Sequence, residues 1–168
     1  MMTKMKLRTL AAPIVFGLAL SALTSAPARA QSSATAPAQV SAEDFAALEW
    51  LEGRWIGSGG DAGAFYEEYR ILDDGRIEQI RWSDSTFTTP VGRSTIEYLG
   101  GYVMKSRDGQ VESLVTRMAD DEIRFAWAES GRPGFTWSRV SDDEWVAVLD
   151  RRGEGPVVYN MRRTRGNG

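Results

Sequence analysis

The sequence predicts an all-β fold, an antiparallel meander closed into a barrel of about eight to ten strands and preceded by one short helix. Three observations predict it. From residue 54 onward, turn signals recur at roughly the 8–12-residue spacing of sandwiches and barrels. Every connection between the candidate strands is short, which forces antiparallel neighbours, because a parallel pair needs a crossover of about a dozen residues. The later segments also carry apolar side chains on one face, and an open sheet of that kind would leave two bare edges that closure removes.

In chain order, the first element is an address. Lys4, Lys6 and Arg8 form a basic start, residues 10–23 are mostly apolar, and Ala28-Arg29-Ala30 offers a small-x-small cleavage site before Gln31. Pro13, Gly17 and Ser21 interrupt an apolar run already short for a membrane span of about 20 residues. Residues 1–30 are therefore expected to be a signal peptide, with export to the periplasm or beyond and no membrane span after cleavage. No Cys stands at the cleavage site, which excludes a lipoprotein anchor. Residues 31–40, small and polar, read as a disordered linker, and residues 41–165 as a single domain.

Ser41 with Asp44 opens a helix as a capping-box pair; Phe45, Leu48 and Leu51 give it an apolar stripe, and Gly53 is its natural stop after about three turns. Nine strands are then expected, at 54–59, 64–72, 76–83, 95–105, 110–118, 122–128, 135–140, 144–150 and 157–163. Asp73-Asp74-Gly75, Asp108-Gly109, Asp120-Asp121 and Ser141-Asp142-Asp143 are turn chemistry between them. Gly100-Gly101 falls inside the fourth segment and reads as a sharp bend at a barrel corner.

Parity within these strands selects an interior. Phe125 and Trp127 share a face with Ile123, and Phe135, Trp137 and Arg139 share another; Tyr159 alternates inward with Val157 and Met161. Trp82 follows Ile80 at the same spacing, and Arg117 follows Val115 and Val111. These residues (Trp82, Arg117, Phe125, Trp127, Phe135, Trp137, Arg139 and Tyr159) are the candidate pocket lining. Glu67 and Glu68 are sequence neighbours on one strand, so one of them faces inward, and Glu97 is a further candidate interior acid. A buried Glu needs a cationic partner or a raised pKa; Arg139 is placed either to neutralise it or to hold an anionic ligand group by charge-assisted hydrogen bonds. Six tryptophans in one small barrel leave space for a modest pocket at most.

Composition excludes much chemistry. With no His and no Cys, there is no Ser-His-Asp or Cys-His nucleophilic site, no usual zinc site and no His-ligated haem, so no catalytic residue, metal ligand or cofactor is assigned. The acidic turns lack the spacing of a calcium loop. Gly57-Ser58-Gly59-Gly60 lies between two strands and reads as a hairpin turn, not as a phosphate cradle before a helix. None of the 23 acidic residues but four of the 20 basic ones lie in the first 30, so the remainder carries 16 basic against 23 acidic residues, net −7. Nucleic acid is an unfavoured partner for such a surface.

Trp50-Leu51, Gly53 and Trp55 form a W-L-x-G-x-W opening, followed by Glu67-Glu68-Tyr69, Ile96-Glu97-Tyr98-Leu99 and a Tyr159-x-Met161-x-Arg163 ending. On these residues the chain resembles the calycin superfamily, lipocalins included, and within it a bacterial family of exported domains of unknown function. The resemblance implies a helix-capped antiparallel barrel. Nitrobindin-type relatives with the same opening bind haem through a His that this chain lacks, so haem is not implied. A His-Asp-Phe-Pro element of the exported family is replaced here by Arg132-Pro133-Gly134-Phe135.

The resulting expectation is an exported, non-catalytic barrel binding a small apolar or anionic amphipathic ligand. The alternative is a structural or protein-interaction domain with a filled core. An enzyme working through carboxylate, Tyr or Arg groups is the minor reading, because no convergent acid–base pair stands out.

Overall fold

A computed structural model describes residues 36–165. The expected signal peptide lies outside these residues. The described chain is an antiparallel meander of ten strands: β1 Gly53–Gly59, β2 Ala62–Ile71, β3 Ile77–Trp82, β4 Pro90–Leu99, β5 Tyr102–Arg107, β6 Gln110–Ala119, β7 Glu122–Trp127, β8 Phe135–Arg139, β9 Glu144–Leu149 and β10 Val157–Arg163. It closes as expected, β1 pairing with β10 in the register Trp55↔Arg163 to Gly59↔Tyr159.

Ten strands replace nine because Gly100-Gly101 is a hairpin turn, not a bend. Both glycines have positive φ, 60° and 89°, the conformation a two-residue type I′ turn demands and whose twist matches the flanking strands. The segment 95–105 is therefore split, and its first half starts back at Pro90. Asp108-Gly109 turns the chain the same way, at φ 50° and 76°.

The expected helix is present in two pieces. Ser41 Oγ accepts from the Asp44 N–H (3.0 Å) and Asp44 Oδ2 accepts from the Ser41 N–H (3.1 Å), completing the capping box. The α-helix α1 covers only Ala42–Ala46, and a 3-10 helix continues over Ala47–Leu51. The tighter winding still buries Leu48, Trp50 and Leu51 and plugs one end of the barrel. Ahead of it, residues assigned by composition to a linker lie against the barrel. The Ala38 N–H donates to the Val115 carbonyl and the Val40 N–H to that of Gly101, both at 2.9 Å, and Val40 is buried.

The plugged end is filled. Trp55, Tyr69, Ile96, Val103, Val115 and Ile123 are buried to within 1% there, together with Leu51 and Trp145. Trp145 holds edge-to-face contacts with Trp50, Trp55 and Tyr69 at ring-centroid separations of 6.0–6.1 Å. The opposite end, ringed by the β7–β8 and β9–β10 loops, is the mouth.

Candidate functional site: an interior cavity with an aromatic and a cationic wall

Inside the mouth half lies a cavity of ≈ 390 Å³. Its chemistry divides around the barrel circumference. Strands β7–β10 supply Trp127, Phe135, Trp137, Trp145, Leu149 and Tyr159, whereas β2–β5 supply Glu67, Gln79, Arg81, Arg93, Ser94, Lys105 and Arg107. Phe65 closes the apolar arc across the β1 seam, meeting Tyr159 edge-to-face with centroids 5.5 Å apart. That seam depends on Gly57: a Cβ there would occupy the space of the Phe65 ring.

The polar wall is a directed series of hydrogen bonds across four strands. Lys105 Nζ donates to Ser94 Oγ (2.8 Å), Ser94 Oγ to Gln79 Oε1 (2.8 Å), Gln79 Nε2 to the Tyr69 hydroxyl (3.0 Å), and that hydroxyl to Glu67 Oε2 (2.8 Å). Each of Ser94, Gln79 and Tyr69 accepts from one side and donates to the other, so the series points from an ammonium to a carboxylate. Burial pushes the Glu67 carboxyl above its ordinary value, against the hydrogen bonds of Tyr69 and Gln79 and the charges of Lys105 and Arg81. Burial pulls Lys105 below its ordinary value, opposed chiefly by Glu112, 3.5 Å away. The Tyr69 hydroxyl is held well above its ordinary value by burial and by the Glu67 charge.

Arg93 is tied to Glu78 and Arg107 to Glu112. Arg81 has no carboxylate within ion-pair distance among the described residues, although it stands opposite Glu67 in the strand register. It is an exposed cation on the cavity wall. Both ends of the barrel carry mixed charge: the mouth has Arg81, Arg93, Arg107, Arg132, Arg151 and Arg152 beside Asp84, Asp108, Glu112, Glu129, Asp150 and Glu154. Arg132 lies on the Trp127 ring, 3.8 Å from its centroid, at a shallow outer groove that shares Trp127 and Leu149 with the cavity. Among the described residues no cluster of three or more Asp, Glu, His or Cys is arranged to hold a metal.

No protein-family model and no curated protein matches the chain.

Of the sequence-selected lining, Trp127, Phe135, Trp137, Tyr159 and Glu67 meet at the cavity. Phe125 is fully buried behind them, stacked on Phe135 with centroids 4.6 Å apart. The remaining candidates lie elsewhere. Trp82 and Ile80 pack on the outer face of β3 with Tyr66, under Phe87 of the 83–89 loop, so the inward residues of β3 are Ile77, Gln79 and Arg81. Arg117 is exposed and pairs with Glu122 (3.2 Å). Arg139 ends β8 at the plugged end and pairs with Asp142, far along the strand from the mouth. It does not neutralise Glu67. Glu68 faces outward between Arg54 (3.3 Å) and Arg70 (3.0 Å), and Glu97, on the face opposite buried Ile96, accepts from Ser106 Oγ (3.2 Å).

Sequence reasoning missed Gln79, Arg81, Ser94, Lys105 and Trp145. The signal for the first two was the alternation from Ile77, masked by the more apolar Ile80 and Trp82. Lys105 shares inward parity with Val103, but reading one uninterrupted strand through Gly100-Gly101 hid where that parity restarts.

Proposed function

We propose that the barrel binds a small amphipathic anion, its apolar body against Trp127, Phe135 and Trp137 and its anionic group against Arg81. The observation that carries this reading is the division of one cavity into an aromatic and a cationic wall. Ligand sites are commonly apolar concavities with a few placed polar groups. Arginine presents a planar fork suited to carboxylate or phosphate, and Arg81 has no carboxylate partner among the described residues.

The proposal includes the setting. The leader-like residues 1–30 support export from the cytoplasm, and the W-L-x-G-x-W opening supports kinship with the exported calycin-like family. A filled structural barrel is the competing reading, favoured by the packed half around Trp55 and Trp145. Native mass spectrometry of the protein from cells that export it separates the two. A co-purifying anionic amphiphile supports binding. An apo mass, together with no displacement of a bound anilinonaphthalene sulfonate dye by decanoate, supports the filled barrel.

A further inference from the structure

From residue 31 onward the chain has 15 arginines and a single lysine, Lys105. That lysine is also the basic residue most deeply placed in the cavity wall, its side chain only 10% exposed. The two facts bear on the same chemistry. A guanidinium cannot give up its proton in a protein, whereas a buried amine can and then becomes a nucleophile. Every other basic position in the barrel uses the residue that stays charged.

We propose that Lys105 captures carbonyl ligands, forming a reversible imine with an aldehyde or ketone whose apolar body lies along the aromatic wall. The inference rests on the reading that small molecules enter this cavity. Three charged groups act on the amine, Glu67 from β2, Arg107 from its own strand and Glu112 from β6, and Arg81 of β3 shares the same wall. Glu112 is nearer to Arg107 (2.9 Å) than to Lys105 (3.5 Å), so the carboxylate is shared and the amine is only partly paired. Desolvation and the neighbouring Arg107 charge both favour the neutral amine.

The reaction balances without a redox partner. The ammonium passes one proton to solvent through the mouth, and the amine lone pair adds to the carbonyl carbon while the carbonyl oxygen takes up a proton. The carbinolamine then loses water as the C=N bond forms, so one amine and one carbonyl give one imine and one water. Ser94 Oγ accepts from Nζ and itself donates to Gln79 Oε1, so it orients the amine, while the proton that carries off the hydroxyl comes from solvent at the mouth. A protonated imine keeps a positive charge, for which Glu112 is the counterion.

The test uses the full chain, cinnamaldehyde and cyanoborohydride, read by intact mass and peptide mapping. The chain is made without export so that residues 1–30 stay attached, and Lys4, Lys6 and the terminal amine serve as internal references. Cinnamyl alcohol, the same skeleton without a carbonyl, reports entry through quenching of tryptophan fluorescence. The expected result is label at Lys105 that accumulates several-fold faster than at Lys4 and Lys6, saturates with aldehyde, is blocked by the alcohol and is lost in Lys105→Arg. If the alcohol quenches but Lys105 labels no faster than Lys4 and Lys6, imine capture is overturned and the cavity reading stands. If the alcohol neither quenches nor protects, both fall.

Discussion

The guanidinium of Arg163 lies 4.3 Å from the ring centroid of Trp55, its register partner across the seam that closes the barrel. From there it donates to the carbonyls of Trp50 (2.9 Å), Asp142 (2.9 Å) and Glu52. One side chain thus ties the last strand to the first strand, to the plugging helix and to the β8–β9 turn. Arg163→Met should lower folding stability by about 2–4 kcal/mol, from lost charge-assisted hydrogen bonds and a cation–π contact. Arg163→Lys should recover only part, because an ammonium cannot reach three carbonyls as a fork does. Arg162→Met, at an exposed pair with Glu144, should change little. Urea denaturation of the three variants checks the order.

Gly57 should matter for both stability and binding. Alanine there forces the Phe65 ring away from the seam, and the space it can take is the cavity it lines. Gly57→Ala should cost about 1–3 kcal/mol as an overpacked site does, and should weaken decanoate binding in the same preparation. Thermal melts and titrations of one variant test both effects.

Glu67 should leave a signature in the pH dependence of stability. Its carboxyl is held above its ordinary 4.5, mainly by burial, so folding favours the protonated form. The contribution is complete below pH 4.5 and is lost as pH rises through the folded value. Glu67→Gln keeps an acceptor for Tyr69 and removes the titration. Wild-type stability relative to this variant should therefore fall as pH rises from 4.5 and then level off. A flat difference across that range would mean Glu67 is solvated in the folded barrel.

The fold was legible because its determinants are local. The Ser41–Asp44 capping box, the Asp-Gly turn at 108–109 and the one-faced alternation of β7–β10 each read directly, and the aromatic wall followed from that alternation. The polar wall was harder to read for physical reasons. On β3 the outer face is the more apolar one, because Phe87 folds back to cover Ile80 and Trp82, so hydrophobicity pointed to the wrong side. Arg139 has correct inward parity, but parity does not say how far along a strand a residue lies, and at its end a long side chain reaches Asp142 instead. The Lys105–Glu67 series joins strands 38 residues apart in sequence, and no local pattern announces it.

The central claim is that Arg81 reads the anionic end of a ligand whose body lies on the aromatic wall. Calorimetric titration of decanoate and decanol into wild type and Arg81→Met tests it most directly, with Arg139→Met as the control at the other end of the barrel. Decanoate should bind wild type saturably and weaken by about 1.5–3 kcal/mol in Arg81→Met, the range for a hydrogen bond to a charged group, or roughly 10- to 150-fold. Decanol should bind both proteins alike, and Arg139→Met should behave as wild type. Decanoate binding that is absent from wild type, or unchanged by Arg81→Met, would contradict the account.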